Sequence, residues 1–191
     1  MAATFYLIRH GETEWSLTGQ HTGRTDKELT ENGRNQAEGV KEMLRTLSFV
    51  RVLSSPLKRA METAQIVGLG SRTEPRDELT EFNYGEFEGL TTAEIRDKVP
   101  NWSLWTHECP GGETLAAAAQ RARLLLADLA GTEGNVAIFA HGHILRILAC
   151  EYLGLPAENG KHLILDTCSV SILAHEHDMR AIKMWNVRNE R

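Results

Sequence analysis

Two short apolar runs, far apart in the chain, break off in the same way. Residues 4–8 read TFYLI and stop at Arg9-His10-Gly11, and residues 135–140 read NVAIFA and stop at His141-Gly142-His143. Each run has the length and β-rich composition of a buried strand. A third run, residues 50–53, gives way to Ser54-Ser55-Pro56-Leu57-Lys58-Arg59, where Ser and Pro read as a helix start. Amphipathic or apolar helical stretches separate these strands. After Thr30, a good N-cap, Ala37, Val40, Leu44 and Leu47 fall on one helical stripe. Ala60, Ala64 and Val67 continue the helix after Pro56 until Gly68 and Gly70. Residues 113–130 and 144–153 are strongly helical, the latter closed by Gly154 and Pro156. Strands that alternate with helices in this way pair in parallel, so the fold class is α/β with a largely parallel sheet. Residues 169–175 and 181–186 read as a closing hairpin.

The remaining stretches are less regular. Residues 12–26 have too little apolar periodicity for a helix and read as a long loop, a kind of segment that is usually functional in a compact domain. Residues 74–112 read as a cap-like excursion. It has a short strand around Leu79, a short helix over 92–99, and Trp102 and Trp105 in irregular chain. With 191 residues and no linker or repeat, one domain over 1–191 is expected. The net charge of −5 argues against general nucleic-acid binding, and no apolar stretch approaches the roughly 20 residues needed to span a bilayer. Residues 1–12 read as an opening strand rather than a signal peptide. Cys109, Cys150 and Cys168 are odd in number and widely spaced, which suits reduced cysteines in a cytoplasmic protein better than disulfides or a zinc cluster.

Ligands of open α/β sheets bind beyond the carboxyl ends of the strands. If the strands before His10 and His141 are neighbours, the two imidazoles face one another there. The helix after His141 then aims its free N–H groups at the same place. Arg9 and Arg59 converge from two different elements, and a guanidinium donates paired hydrogen bonds to phosphate oxygens. Two Arg and two His around one crevice form a pocket for a transferring phosphoryl group. A metal site of His10, His141 and His143 is an alternative, although it lacks an acidic partner at regular spacing.

The string Leu7-Ile8-Arg9-His10-Gly11-Glu12-Thr13 resembles the signature of the histidine phosphatase, or phosphoglycerate-mutase-like, superfamily. Leu29-Thr30-Glu31-Asn32-Gly33, Ser54 to Ala60 with Glu62-Thr63-Ala64, Leu79-Thr80-Glu81, Tyr84 to Gly89, Pro110 to Thr114 and His141-Gly142 follow in the family's order. The resemblance implies a three-layer α/β/α sandwich with a C-terminal hairpin. It implies that His10 is the nucleophile and that Arg9, Arg59, His141 and the Gly142 N–H hold phosphate. Glu81 stands where the family keeps its general acid, with Glu12, Glu86 and Glu88 as rivals in nearby loops. In the first loop, Ser16, Thr22 and Gly23 match positions that contact phosphate or substrate. His143, Arg24 and His21 are candidates for the mouth, and Trp15 for a wall.

The chemistry fits these residue types. Neutral imidazole attacks phosphorus well near pH 7 when its second nitrogen donates to a carbonyl. A protonated His141 would add positive charge. The acid must start protonated, and its carboxylate can then activate water. No metal or organic cofactor is expected. In the mutases of the family that the chain resembles, a longer segment separates the acid from the second His; only 60 positions separate Glu81 from His141 here, so the resemblance implies a shorter cap and a site more open to water. The expected function is therefore an acid-type histidine phosphatase: a phosphomonoesterase for small sugar phosphates or bisphosphates, working through a phosphohistidine on His10. The alternatives are a cofactor-dependent phosphoglycerate mutase and a non-catalytic phospho-ligand-binding protein. The expected partner is a small phosphate ester, with neither nucleic acid nor membrane. A homodimer is left open.

Overall fold

The computed structural model describes residues 3–189. The strands form one sheet from β1 (Ala3–Arg9), β2 (Arg51–Ser54), β3 (Thr73–Pro75), β4 (Gly134–Ala140), β5 (Val170–Glu176) and β6 (Met179–Val187). Their order is β3-β2-β4-β1-β5-β6. The first four are parallel, whereas β5 runs antiparallel to β1 and forms the closing hairpin with β6.

Side chains alternate across the sheet and set the layers. Leu7, Leu53, Val136 and Ile138 pack into a core shared with α5 (Leu115–Asp128) and α6 (Gly142–Leu153). Their chain neighbours Ile8, Val52, Ala137 and Phe139 point the other way, into a core with Ala37, Val40 and Leu44 of α2 (Glu31–Leu44) and Ala64 and Val67 of α3 (Lys58–Val67). The result is a three-layer α/β/α sandwich. Each fully buried Leu, Ile or Phe contributes about 1.5–3 kcal/mol through removal from water. Strands buried on both faces explain why the sequence shows continuous apolar runs rather than polar alternation.

Residues 12–26 are not wholly loop. They contain the short helix α1 (Glu14–Thr18), which buries none of its residues and is held by a capping box between Thr13 and Ser16. Leu79 is fully buried in a 3₁₀ turn, Asp77–Leu79, and the strand lies earlier, at β3. Ser55 does not cap α3. Leu57 occupies that position without a side-chain bond, and Asp26 Oδ1 accepts from the Lys58 N–H at 2.8 Å, a cap supplied from 32 residues away. Phe82, Tyr84, Phe87, Trp102 and Leu104, together with Ile95 of α4 (Thr92–Lys98), join the same core as α5 and α6. The excursion is thus built into the body of the fold. Among the described residues no helix is long and apolar enough to cross a membrane.

Candidate active site

Three adjacent parallel strands deliver the central residues. Arg9 of β1 pairs with Ala140 of β4, so His10 and His141 leave the sheet side by side, and their ring centroids are 5.0 Å apart. Ser55 follows β2, next to β4. The chain after His10 is pinned from two sides. The Gly11 N–H donates to Thr63 Oγ1 at 3.0 Å, and Gly11 and Gly33 meet backbone to backbone, where any Cβ on Gly33 would collide with the Glu12 carbonyl. Glycine at both positions is therefore a packing requirement.

His10 is almost fully buried, and its Nδ1–H donates to the Gly11 carbonyl at 2.7 Å. That bond leaves Nε2 unprotonated and facing a cavity of about 170 Å³ lined by Arg9, Glu81, His143 and Arg146, among others. Burial first, then the charges of Arg59 and Arg9, push the His10 pKa well below 6.5. The nucleophile is thus neutral at pH 7. Arg9 Nη1 donates to the Leu165 carbonyl at 2.6 Å, while its buried Nε has no hydrogen-bond partner among the described residues. A buried unpaired donor is costly, and this one sits in the wall of the cavity. Gly142 opens α6, so its N–H has no acceptor within the helix.

Arg59 and His141 stand behind this wall, both fully buried. Arg59 Nε donates to His141 Nδ1 at 3.0 Å, and its terminal nitrogens donate to the Thr22, Gly23 and Thr25 carbonyls at 3.2, 2.9 and 2.9 Å. His141 must therefore accept at Nδ1 and donate from Nε2 to Ser55 Oγ, 2.7 Å away. Burial, Arg59 and His10 all push its pKa well below 6.5. The protonated His141 considered from sequence is not the form found here, because a proton on Nδ1 would face the Arg59 donor. Arg59 ties the first loop to the sheet.

Glu81 is buried beside the cavity. Its Oε1 accepts from the Phe82 and Ile144 N–H groups at 2.9 and 3.0 Å, and Oε2 accepts from the His143 N–H at 3.0 Å. The rival carboxylates Glu12 and Glu88 hold structure instead: Glu12 accepts from Thr30 and Asn32 at the start of α2, and Glu88 from the Arg24 and Thr25 N–H groups. Neither lines the cavity, and nor does Glu86.

Of the loop residues, Ser16, His21 and Thr22 line the cavity, whereas Gly23 and the exposed Arg24 do not. Ser16 Oγ is committed to the Thr13 cap. Trp15 lies against Gly89 and Lys27 rather than beside His10. Tyr84 and Arg146, not singled out from sequence, also form the wall. Arg146 carries a readable signal, as the one arginine on an otherwise largely apolar helix. Among the described residues no group of three His, Cys, Asp or Glu side chains could hold a metal ion. His141, with both nitrogens already bonded, is unavailable to the ligand set His10, His141 and His143.

Two buried and two half-buried imidazoles set a pH dependence. Burial is the leading cause that lowers the pKa values of His10, His141, His143 and His21, the last to about 4. Below pH 6.5 the unfolded chain takes up protons that these folded residues refuse. Stability therefore falls as pH drops from 6.5 and is unaffected by them above it, by at most about 1.4 kcal/mol per pH unit for each group. Urea midpoints should fall steadily from pH 7 to pH 5, and a flat profile over that window would contradict neutral burial.

The family model of the histidine phosphatase superfamily (branch 1) matches residues 5–188. An acid phosphatase of Mycobacterium tuberculosis is 39% identical over 180 residues, covering 92% of this chain and 88% of that protein. A probable phosphoglycerate mutase, GpmB, of Erwinia tasmaniensis is 32% identical, covering 95% and 89%. A solved structure of the Mycobacterium tuberculosis open reading frame Rv3214 superposes with a TM-score of 0.93 at 36% identity, over 100% of both chains.

Proposed function

The chain belongs to the histidine phosphatase superfamily (branch 1), and we propose that it hydrolyses phosphomonoesters of small metabolites through a phosphohistidine on His10. The observation that carries this reading is the His10 ring itself. Its Nδ1–H is locked on the Gly11 carbonyl, and its neutral Nε2 is turned to a cavity beside the unpaired Arg9 Nε. Nε2 attacks phosphorus, the bond from phosphorus to the ester oxygen breaks, and Glu81 in its protonated form gives the leaving oxygen its proton. Water then attacks the phosphohistidine, the Glu81 carboxylate takes the water's proton, and His10 is restored as phosphate leaves. Arg9 and the Gly142 N–H hold the oxygens on which charge develops. These groups supply the positive charge without a metal. His10 stays neutral well below pH 6.5, so the nucleophile remains available in mild acid, which suits an acid-type phosphatase. The sugar phosphate and bisphosphate class is the proposed substrate range.

Glu81 has a direct test. Protonation matters most when the leaving group is a poor one. Glu81→Gln should lower kcat for an alkyl phosphate such as glycerol phosphate by about 10²–10³-fold, and for p-nitrophenyl phosphate far less. Equal losses on both esters would remove Glu81 from the acid role. The mutase relative keeps a second reading in view. Isomerisation of 3-phosphoglycerate in the presence of the bisphosphate, without release of phosphate, would favour it.

A further inference from the structure

Three successive peptide groups carry the chain away from His10, and each is held at both ends. In the first, the His10 carbonyl accepts from the Cys168 N–H at 3.2 Å, and the Gly11 N–H donates to Thr63 Oγ1 at 3.0 Å. In the third, the Glu12 carbonyl accepts from the Thr30 N–H at 2.9 Å, and the Thr13 N–H donates to Ser16 Oγ at 2.8 Å. The middle group joins Gly11 to Glu12. Its carbonyl accepts from His10 Nδ1–H at 2.7 Å, and its N–H donates to Gln36 Oε1, on α2, at 3.0 Å. Among the described residues nothing but the His10 ring and Gln36 bonds to this peptide.

A trans peptide points its C=O and N–H in opposite directions. The bond to Gln36 therefore aims the Gly11 carbonyl at the imidazole. A peptide between two pinned neighbours can still swivel about the line joining its own Cα atoms, and the glycine on one side lowers the steric resistance. Gln36 opposes that swivel. The tautomer of His10 depends on the outcome. A neutral histidine ring without partners favours its hydrogen on Nε2, the nitrogen that must carry the lone pair here. With the carbonyl in place the hydrogen stays on Nδ1. Burial, Arg59 and Arg9 lower the basicity of the ring, and the Gly11 carbonyl opposes them. A peptide N–H that is already bonded also polarises its own C=O, which strengthens the bond to the ring.

We propose that Gln36 is a positioning residue for the nucleophile: through the Gly11–Glu12 peptide it keeps the hydrogen on His10 Nδ1 and the lone pair on Nε2. This rests on the hydrolase reading above and adds a residue that does not itself line the cavity. Its effect falls on the attack rather than on binding, because Arg9 and the Gly142 N–H hold the phosphate and Gln36 bonds to neither.

The test compares wild type with Gln36→Met and Gln36→Ala, which lack the amide oxygen but suit a helix, and with Gln36→Glu, which keeps an oxygen in reach. ¹⁵N spectra of unliganded, histidine-labelled protein read the tautomer, with the His10 signals assigned by their loss in His10→Ala. Wild type and Gln36→Glu should show the hydrogen on Nδ1 and a bare Nε2. In Gln36→Met and Gln36→Ala both nitrogen signals should move towards the opposite form. In those two variants kcat/KM for p-nitrophenyl phosphate, which reports attack by His10, should fall about 10-fold. In Gln36→Glu it should fall less than about 3-fold. The inhibition constant of inorganic phosphate should stay within about twofold of wild type throughout. Unchanged nitrogen signals or an unchanged kcat/KM in Gln36→Met and Gln36→Ala would overturn the proposal, even with a lowered Tm, because the bond would then be structural only. Losses as large in Gln36→Glu, or losses matched by weaker phosphate binding, would overturn it as well. If wild type hydrolyses no ester, the hydrolase reading fails, and the nitrogen spectra decide the role of Gln36 by themselves.

Discussion

His10→Ala should abolish turnover, with kcat for p-nitrophenyl phosphate lower by on the order of 10⁴–10⁶-fold, while the protein stays folded. The size of the effect follows from the His10 geometry. The His10 ring has an unprotonated nitrogen with no side-chain partner, whereas His141 is bonded at both nitrogens, His143 presents its hydrogen, and His21 pairs through Nε2 with Thr92 Oγ1. No neighbouring side chain can take over the attack. Folding should change little, because His10 makes one side-chain hydrogen bond, to Gly11, and its burial beside Arg59 and Arg9 is unfavourable to the charged ring. Arg9 still offers its free Nε in the variant. Phosphate should therefore bind with an affinity near that of wild type, as calorimetry can show. Retained turnover in a folded His10→Ala protein would remove the nucleophile from the account.

Arg59→Ala should have the largest effect on stability. One guanidinium satisfies the carbonyls of Thr22, Gly23 and Thr25 and the Nδ1 of His141, all at 2.9–3.2 Å. Removal strands these acceptors in a buried place and releases the first loop from the sheet. A cost of about 3–5 kcal/mol is expected, which corresponds to roughly 6–20 °C in Tm for a chain of this size. Activity should fall by about 10²–10³-fold as well, since Thr22 and Ser16 of that loop line the cavity. Arg59→Lys should recover part of the charge but not the stability, because a single ammonium cannot reach acceptors spread over three carbonyls and an imidazole. A wild-type Tm in Arg59→Ala would show that the loop is held by something else.

The strand ends were legible because burial on both faces leaves short apolar runs that stop where the chain turns outward. The stripe through Ala37, Val40 and Leu44 was legible because a helix with one buried face repeats every 3.6 residues. Neither rule reaches α1, which buries nothing and is held by Thr13 and Ser16 alone. The spacing of those two residues was the available signal. Leu79 misled because full burial in a 3₁₀ turn leaves the same single apolar residue as a strand. The cap of α3 was hidden because Asp26 supplies it from another loop. At the site, Arg9, His10, Glu81 and His141 were placed by strand ends and motif order. Their division of labour was not, since the Arg59–His141 bond fixes a tautomer that no spacing encodes. The roles of Tyr84 and Arg146 depend on the rotation of α6 and on the path of residues 84–105, both set by packing.

The most direct measurement is rapid-quench trapping. Wild-type enzyme is mixed with a ³²P-labelled monoester, quenched in alkali within a turnover, digested and mapped. An alkali-stable, acid-labile phosphoryl group on His10, formed and lost at rates that match kcat, is the result expected. Turnover at full rate with no phosphoryl group on His10, or with the label on another side chain, would contradict the central claim.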